Sequence, residues 1–341
     1  MKSIILVGGK GTRLRPLTYE VPKQLLPLVG LPMLECVFSS LAKHDVDEVV
    51  LSLGYLPDQF MEAYPFGSIQ GVKLTYAVEP EPLDTAGAIR FAAETAGIDD
   101  TFLVLNGDVL TDLDLSTLVS FHRRHQATGT IALHEVDDPS RYGVVTTDEE
   151  GRVGDFVEKP PRESAPSNLI NAGTYVFEPS VLDAIAPNRR VSVEREVFPR
   201  LASEGSLYAM VDNAYWIDTG TPESFLQANV DVLHGFDVGR HLEHLDGTTW
   251  RHPSATVARS VRSRNAVIDE DCVVGAGVVL ENVVLMPGAI VRDGAQVRNS
   301  LVGPRAVIGS HSILGPTCVV GAEYVVPEHS RLSGSVKLGD I

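Results

Sequence analysis

Cysteine is scarce. Cys36, Cys272 and Cys318 are the whole complement, far apart, with no CxxC pair and no zinc-type spacing. That excludes a disulfide framework and a cysteine-built zinc module, and it fits a reducing compartment. Long hydrophobic runs are missing too: no window approaches the roughly 18 apolar residues that a membrane helix needs. The opening MKSIILVGGKG has an apolar stretch too short, and too soon broken by glycine, for a secretory signal. The cytoplasm is therefore the expected location, with no membrane partner. Positive charge is in deficit, with 28 Lys and Arg against 45 Asp and Glu and a formal net charge of −17. A nucleic-acid partner is not expected, because such binders carry a basic footprint. An acidic chain that binds polyphosphate must supply backbone amides, local cations or a metal at the site itself.

What is present is ample for a core. The 341 residues, 44% of them hydrophobic, fit two domains. Ile4 to Val7 is a short apolar run that stops at Gly8-Gly9, a buried strand and a tight turn. Further strands are expected at Glu48 to Leu53, Val72 to Val78 and Phe102 to Leu105. Helices are expected at Leu34 to His44 and at the alanine-rich Thr85 to Ala96. This alternation predicts an α/β sheet with helices on both faces, whose ligands gather beyond the carboxyl ends of the strands. Gly8-Gly9 and Gly107-Asp108 both follow such ends. The middle adds antiparallel-looking strands at Gly129 to Glu135, Gly151 to Glu158 and Thr174 to Phe177, then a helix around Pro179 to Ile185. A helix at Thr221 to Leu233, with Pro222 in its first turn, closes the domain.

From about Pro253 the texture changes. Small residues recur at 266, 272, 277, 289, 295, 300, 306, 312 and 318, in steps of six or five within each run, and most precede Val or Ile. Such hexapeptide repeats predict short strands stacked as a parallel β-helix, each turn burying its apolar edge on the next. The domain scheme is thus 1–234 α/β domain, 235–252 connector and 253–341 β-helix. The repeat is expected to serve assembly and stability, giving a homo-oligomer.

The stretch Leu6-Val7-Gly8-Gly9-Lys10-Gly11-Thr12-Arg13 sets three glycines and a guanidinium behind a strand. Glycines let the chain wrap a phosphate and aim several N–H groups at it, and Arg13 adds charge-assisted bonds. Lys23, after Pro22, is a second cation for the same loop. The stretch is not a Walker A loop, which needs GxxxxGK[ST]. It has only half of a GxGxxG fingerprint.

GGKGTRLRPLT followed by VPKQLLPLVGLPMLE resembles the signature of the nucleotide-sugar pyrophosphorylases, the sugar-1-phosphate nucleotidyltransferases. The resemblance continues through PLDTAGAI, LNGDVL, YGVV, FVEKP, INAGTYVF, SVEREVFPRL and YWIDTGTPESF. It covers essentially the whole chain and is nearest to mannose-1-phosphate guanylyltransferases, with glucose-1-phosphate thymidylyltransferases second. It implies a Rossmann-like nucleotidyltransferase domain with a mixed central sheet and a C-terminal left-handed β-helix. Two other readings remain open: a hexapeptide acyltransferase using His311 or His329, and a regulatory homologue without turnover.

The implied reaction joins a nucleoside triphosphate, here GTP, to mannose 1-phosphate and releases diphosphate. A phosphate monoester is an adequate nucleophile, so the task is to bring two polyanions together by positioning and charge neutralisation. Asp108 and Asp218 are the expected Mg²⁺ ligands, two carboxylates suiting a hard ion that also takes phosphate oxygens. By resemblance Arg13 and Lys23 grip the triphosphate, Lys159 holds the sugar phosphate and Glu158 accepts a sugar hydroxyl. Asn171 and Gly143 are further sugar contacts, and Tyr142 packs beside the sugar. Leu6, Gly8, Gly9, Gly11, Thr12, Pro82, Thr85 and Gly107 complete the implied substrate contacts. Glu79 is the expected guanine reader, because a carboxylate can accept from both N1–H and N2–H. Two positions depart from the pattern. Asp84 stands where relatives usually have glycine, and Gln24 gives a Pro-Lys-Gln reminiscent of the thymidylyltransferases.

Overall fold

The computed structural model describes residues 1–239, 241–333 and 336–339. They form two compact units. One holds Met1–Gly9 and Val37–Trp216, and the other holds Lys10–Cys36 with the described residues from Ile217 onward.

The first unit is built on a ten-stranded mixed sheet. Its strands are β1 (Lys2–Leu6), β2 (Glu48–Leu53), β3 (Ser68–Ile69), β4 (Val72–Val78), β5 (Phe102–Asn106), β6 (Gly129–Glu135), β7 (Gly143–Thr147), β8 (Val153–Glu158), β9 (Leu169–Phe177) and β10 (Leu207–Val211). The order along the main path is β8-β7-β9-β5-β1-β2-β4-β3, with β6 joining β9 to β10. β1 lies parallel to both β2 and β5, while β9 runs antiparallel to β5 and β6. The central strands carry unbroken apolar runs, as burial on both faces requires: Ile4, Ile5, Val49, Val50, Leu51, Leu103 and Val104 are all fully buried. Phe102, Phe177, Tyr175 and Phe198 form an aromatic group within this core, Phe102 and Phe177 edge-to-face at 6.0 Å.

The helix expected at Thr85 to Ala96 spans Asp84–Thr95 and buries its alanines and Ile89. The one at Leu34 to His44 spans Met33–Ala42. Residues near Pro179 form a 3-10 helix, Pro179–Ala184, rather than an α-helix. A π-helix at Val193–Val197 precedes Phe198–Ser203, and periodicity alone does not foretell it. No helix among the described residues is long and apolar enough to cross a membrane.

In the second unit, Pro222–Leu233 is a helix with proline in its first turn and a capping box at Thr221 and Ser224. Beyond it, short strands pair in parallel in two sheets. Arg262–Ile268, Val279–Leu285 and Gln296–Val302 follow one another in one. Val273–Val274, Ile290–Val291 and Val307–Ile308 do so in the other. The small residues of the repeat are buried, all except Gly277, which sits at a turn with φ 70°. Asn265, Asn282 and Asn299 occupy equivalent left-handed corners at φ 49°, 50° and 44°. Their amides form a ladder, Asn265 donating to Asn282 at 2.8 Å and Asn282 to Asn299 at 2.7 Å. Asparagine tolerates that backbone better than other non-glycine residues. Cys272 and Cys318 lie in this interior, and burial pushes the Cys272 thiol up to about 12, so it is inert at neutral pH.

Candidate functional site

In the first unit the expected residues gather past the carboxyl ends of parallel strands. Leu6 closes β1, opposite Ser52 of β2 and Asn106 of β5. Gly8 and Gly9 follow in an exposed turn, and Gly107 donates its N–H to Leu6 O at 3.0 Å. Asp108 stands in the turn between β5 and Val109–Thr111.

Glu79 directly follows β4. Its Oε2 accepts the Leu83 N–H at 2.9 Å and its Oε1 accepts the Ser52 hydroxyl at 3.3 Å. A β-carbon on Gly8 would lie 3.5 Å from that same Oε1. The Gly8 turn and the carboxylate are therefore neighbours. Each carboxylate oxygen has two acceptor positions, so one remains on each. Burial, the leading cause, raises the Glu79 pKa above its ordinary value. The Leu83 and Ser52 bonds oppose the rise, and the charge of Asp84 adds to it.

A second group forms around β7, β8 and β9. Glu158 ends β8, and its Oε1 lies 2.8 Å from the ammonium of Lys159. Lys159 adopts φ 51° and donates its N–H to Tyr142 O at 2.9 Å. A lysine held in the left-handed region is a local strain of the kind concentrated at functional sites. Gly143 must be glycine here: a β-carbon would stand 2.3 Å from the Phe156 ring and 3.1 Å from Glu158 Oε2. Tyr142 packs edge-on against Trp216 at 5.5 Å. The Asn171 side chain is engaged locally, donating to Tyr175 OH at 2.9 Å and accepting from Gly173 N at 2.9 Å. The Tyr175 hydroxyl is pushed far above its usual range, first by burial, then by the charge of Glu194, with Glu158 and Asp108 contributing.

In the second unit, Gly11 holds φ 58° before the 3-10 turn Thr12–Leu14, and its carbonyl accepts the Thr18 hydroxyl at 2.8 Å. Lys23 opens the next 3-10 turn, Lys23–Leu25, and its β-carbon lies 3.3 Å from where one on Gly11 would be. The Arg13 guanidinium reaches Asp218 at 3.8 Å, and Asp218 Oδ1 accepts the Gly220 N–H at 2.8 Å. Gln24 is buried, at 1% exposure. Among the described residues no three His, Cys, Asp or Glu side chains converge as a ready metal cage. Asp108, in the first unit, and Asp218, in the second, each carry a carboxylate, whose oxygens are the donors that suit a hard divalent ion.

A nucleotidyl transferase family model matches residues 2–235 of this sequence. The chain belongs to the nucleotidyl transferase family. A second model, the GMPPB C-terminal domain, matches residues 245–339. Among curated relatives, the chain is 43% identical over 279 residues to the mannose-1-phosphate guanylyltransferase of Mycobacterium tuberculosis, covering 81% of this chain and 75% of that one. It is 38% identical over 287 residues to a probable mannose-1-phosphate guanylyltransferase of Arabidopsis thaliana, covering 82% and 75%. Among solved structures, HddC from Yersinia pseudotuberculosis in complex with GMP-PN matches at TM-score 0.59 and 30% identity, covering 68% of this chain and 99% of that one. The family and the Rossmann-like mixed sheet expected from the signature segments are thus borne out. So is the nearness to enzymes carrying the guanylyltransferase name.

Members of a transferase family need not use every contact that a motif suggests. The Thr85 hydroxyl is spent inside the protein, donating to Glu194 at 2.8 Å and accepting from Val193 N at 2.8 Å. Ser52 and Glu194 were not singled out from the sequence. Ser52 sits inside an apolar strand, and Glu194 lies in a π-helix that meets Thr85 only in three dimensions. SVEREVFPRL was legible as a family segment, but not the partner of each acid within it.

Proposed function

We propose that the chain catalyses GTP + α-D-mannose 1-phosphate → GDP-mannose + diphosphate. The observation that carries this reading is the half-buried, acceptor-only Glu79 carboxylate beside the phosphate turn, in a chain 43% identical to a named mannose-1-phosphate guanylyltransferase. A phosphate oxygen of the sugar attacks the α-phosphorus of GTP, the bond to the bridging oxygen of the β-phosphate breaks, and diphosphate leaves with the electron pair. Charge is shifted rather than created, so the protein's work is alignment and neutralisation.

Backbone amides of Gly8, Gly9, Gly11 and Thr12 and the cations of Arg13 and Lys23 take the triphosphate. Leu6, Pro82, Thr85 and Gly107 shape the nucleotide's surroundings, Thr85 through its backbone. Glu79 accepts from guanine N1–H and N2–H with the acceptor position left on each oxygen. Lys159 takes the phosphate of the sugar, and Glu158 and Asn171 take sugar hydroxyls above Gly143. Asp108 and Asp218 are the proposed ligands of Mg²⁺, which when bound neutralises phosphate charge. The ion pairs Arg13–Asp218 and Lys159–Glu158 keep these cations close to their working positions before substrate arrives.

The parallel C-terminal strands are read as a left-handed β-helix, supported by the two parallel sheets and the asparagine ladder. The functional division is 1–234, 235–252 and 253–341, in a cytoplasmic homo-oligomer. The test is diphosphate release with GTP or dTTP, each paired with mannose or glucose 1-phosphate. Highest kcat/KM for GTP with mannose 1-phosphate supports the reading. A preference for dTTP with glucose 1-phosphate favours the thymidylyltransferase alternative and overturns it.

A further inference from the structure

Segment Leu83–Gly87 is fastened at both ends. At one end the Leu83 N–H is held by Glu79 Oε2 at 2.9 Å. At the other, Thr85 enters a hydrogen-bonded circuit with the π-helix. Val193 N donates to Thr85 Oγ1 at 2.8 Å, and Thr85 Oγ1 donates to Glu194 Oε2 at 2.8 Å. The Ser192 hydroxyl donates to that same oxygen at 2.7 Å. Each hydroxyl spends its single proton on Glu194, so the carboxylate polarises both, and such connected bonds strengthen one another. Backbone bonds run beside the circuit: Ala86 N and Gly87 N donate to Val191 O at 2.9 and 3.2 Å, and Val191 N donates to Leu83 O at 3.1 Å.

The backbone bonds tie the two segments together. The side-chain circuit adds a further tie at Thr85, two residues from the N–H that holds Glu79. Glu194 is only partly buried, and its charge is also felt by the Tyr175 hydroxyl, which Asn171 contacts.

We propose that Glu194 is a positioning residue for base selection: through Thr85 and Leu83 it fixes the angle at which the Glu79 carboxylate is presented. This rests on the reading of Glu79 as the guanine reader. Glu194 touches no base on this account. Its removal changes the choice between bases, whereas a purely structural loss would slow all substrates alike.

The experiment compares the parent with Glu194→Ala, Glu194→Gln, Thr85→Val and the double variant Thr85→Val with Glu194→Ala, reading kcat and KM for GTP and for dTTP. Glu194→Ala is expected to raise KM for GTP more than it lowers kcat, and to cut the GTP-to-dTTP ratio of kcat/KM by about fivefold, a coupling typical of contacting residues. Glu194→Gln, which can still accept both hydroxyls, should restore most of the ratio. Thr85→Val should lower the ratio similarly, and the double variant should be no worse than the worse single one. Equal losses for both nucleotides, or additive effects in the double variant, would overturn the proposal. Two measurements keep it separable from the reading beneath it. Glu79→Gln run alongside tests Glu79 alone: an unmoved ratio there sinks the reading. Amide hydrogen exchange of Leu83 needs no substrate. It should quicken in Glu194→Ala and Thr85→Val but not in Glu194→Gln, and unchanged exchange in the first two would sink the coupling itself. If Glu194→Ala does not fold, Thr85→Val carries both readouts.

Discussion

Glu79 shows how one side chain can hold two states with opposite meanings. Ionised, it is acceptor-only and suits the two donors of guanine. Protonated, it offers one donor beside an acceptor, the pattern that pairs with the N3–H and carbonyl of thymine. Burial raises its pKa. For an acid with a raised pKa, the neutral form appears on acidification earlier than for an ordinary glutamate. The GTP-to-dTTP ratio of kcat/KM should therefore fall as pH drops from neutral, starting above the usual glutamate range. A ratio flat down to that range would contradict the assignment. Glu79→Gln should lower the same ratio by about tenfold at neutral pH, which corresponds to roughly 1.4 kcal/mol for one charge-assisted contact. Asp108→Asn and Asp218→Asn should each remove most turnover while leaving the thermal midpoint near that of the parent, since each removes a carboxylate rather than core volume. Turnover within about twofold of the parent would reject either as a metal ligand. Asp84 gains a physical account at this scale. It lies at φ 60°, in the left-handed region where glycine is at ease, and its Oδ1 accepts its neighbour's N–H from Thr85 at 2.9 Å. The departure from glycine was legible in the sequence, whereas the backbone angle that favours glycine there was not.

At the scale of elements, the strands were the most legible part. Glu48–Leu53, Val72–Val78 and Gly129–Glu135 run over the residues expected, because each is an apolar or alternating run bounded by turn residues. Boundaries moved where a side chain or bulge intervened: the strand expected at Thr174 begins at Leu169, with its register broken between Asn171 and Tyr175. The π-helix at Val193–Val197 was not legible, since it depends on the Ser192 cap and on Thr85, a partner more than a hundred residues away. The two lysines belong to separate elements and should separate kinetically. Lys159→Ala should chiefly raise KM for the sugar 1-phosphate, and Lys23→Ala should chiefly impair nucleotide use and kcat. Varying each substrate in turn checks this, and a Lys159 variant impaired only toward nucleotide would exchange the roles. In the C-terminal strands, Asn282→Ala should cost about 1–2 kcal/mol in thermal or denaturant unfolding, because alanine in a left-handed corner is strained. It also breaks both of Asn282's ladder bonds. An unchanged midpoint would show that the corner relaxes.

For the whole molecule, the sequence suggested that the repeat serves assembly and stability apart from chemistry. The structure adds a link that sequence distance hides. The segment Lys10–Cys36 belongs to the same compact unit as the C-terminal strands. The Lys337 ammonium donates to Arg13 O at 2.7 Å, and a β-carbon on Gly321 would meet the Pro16 ring at 3.1 Å. Removing residues 253–341 should therefore loosen the loop as well as any oligomer. Limited trypsin digestion should cut after Arg13 faster in the truncated chain, and turnover should fall; an unchanged cutting rate with full turnover would return the repeat to assembly alone. What the account claims at its centre is a pairing of guanine with a mannose phosphate, read by Glu79 and Lys159 with its neighbours. The most direct measurement is the full matrix of kcat/KM for diphosphate release, four nucleoside triphosphates against mannose and glucose 1-phosphates, with Mg²⁺ present. The account predicts its maximum at GTP with mannose 1-phosphate. A maximum at any other nucleotide, or no diphosphate release with any pair, would contradict it.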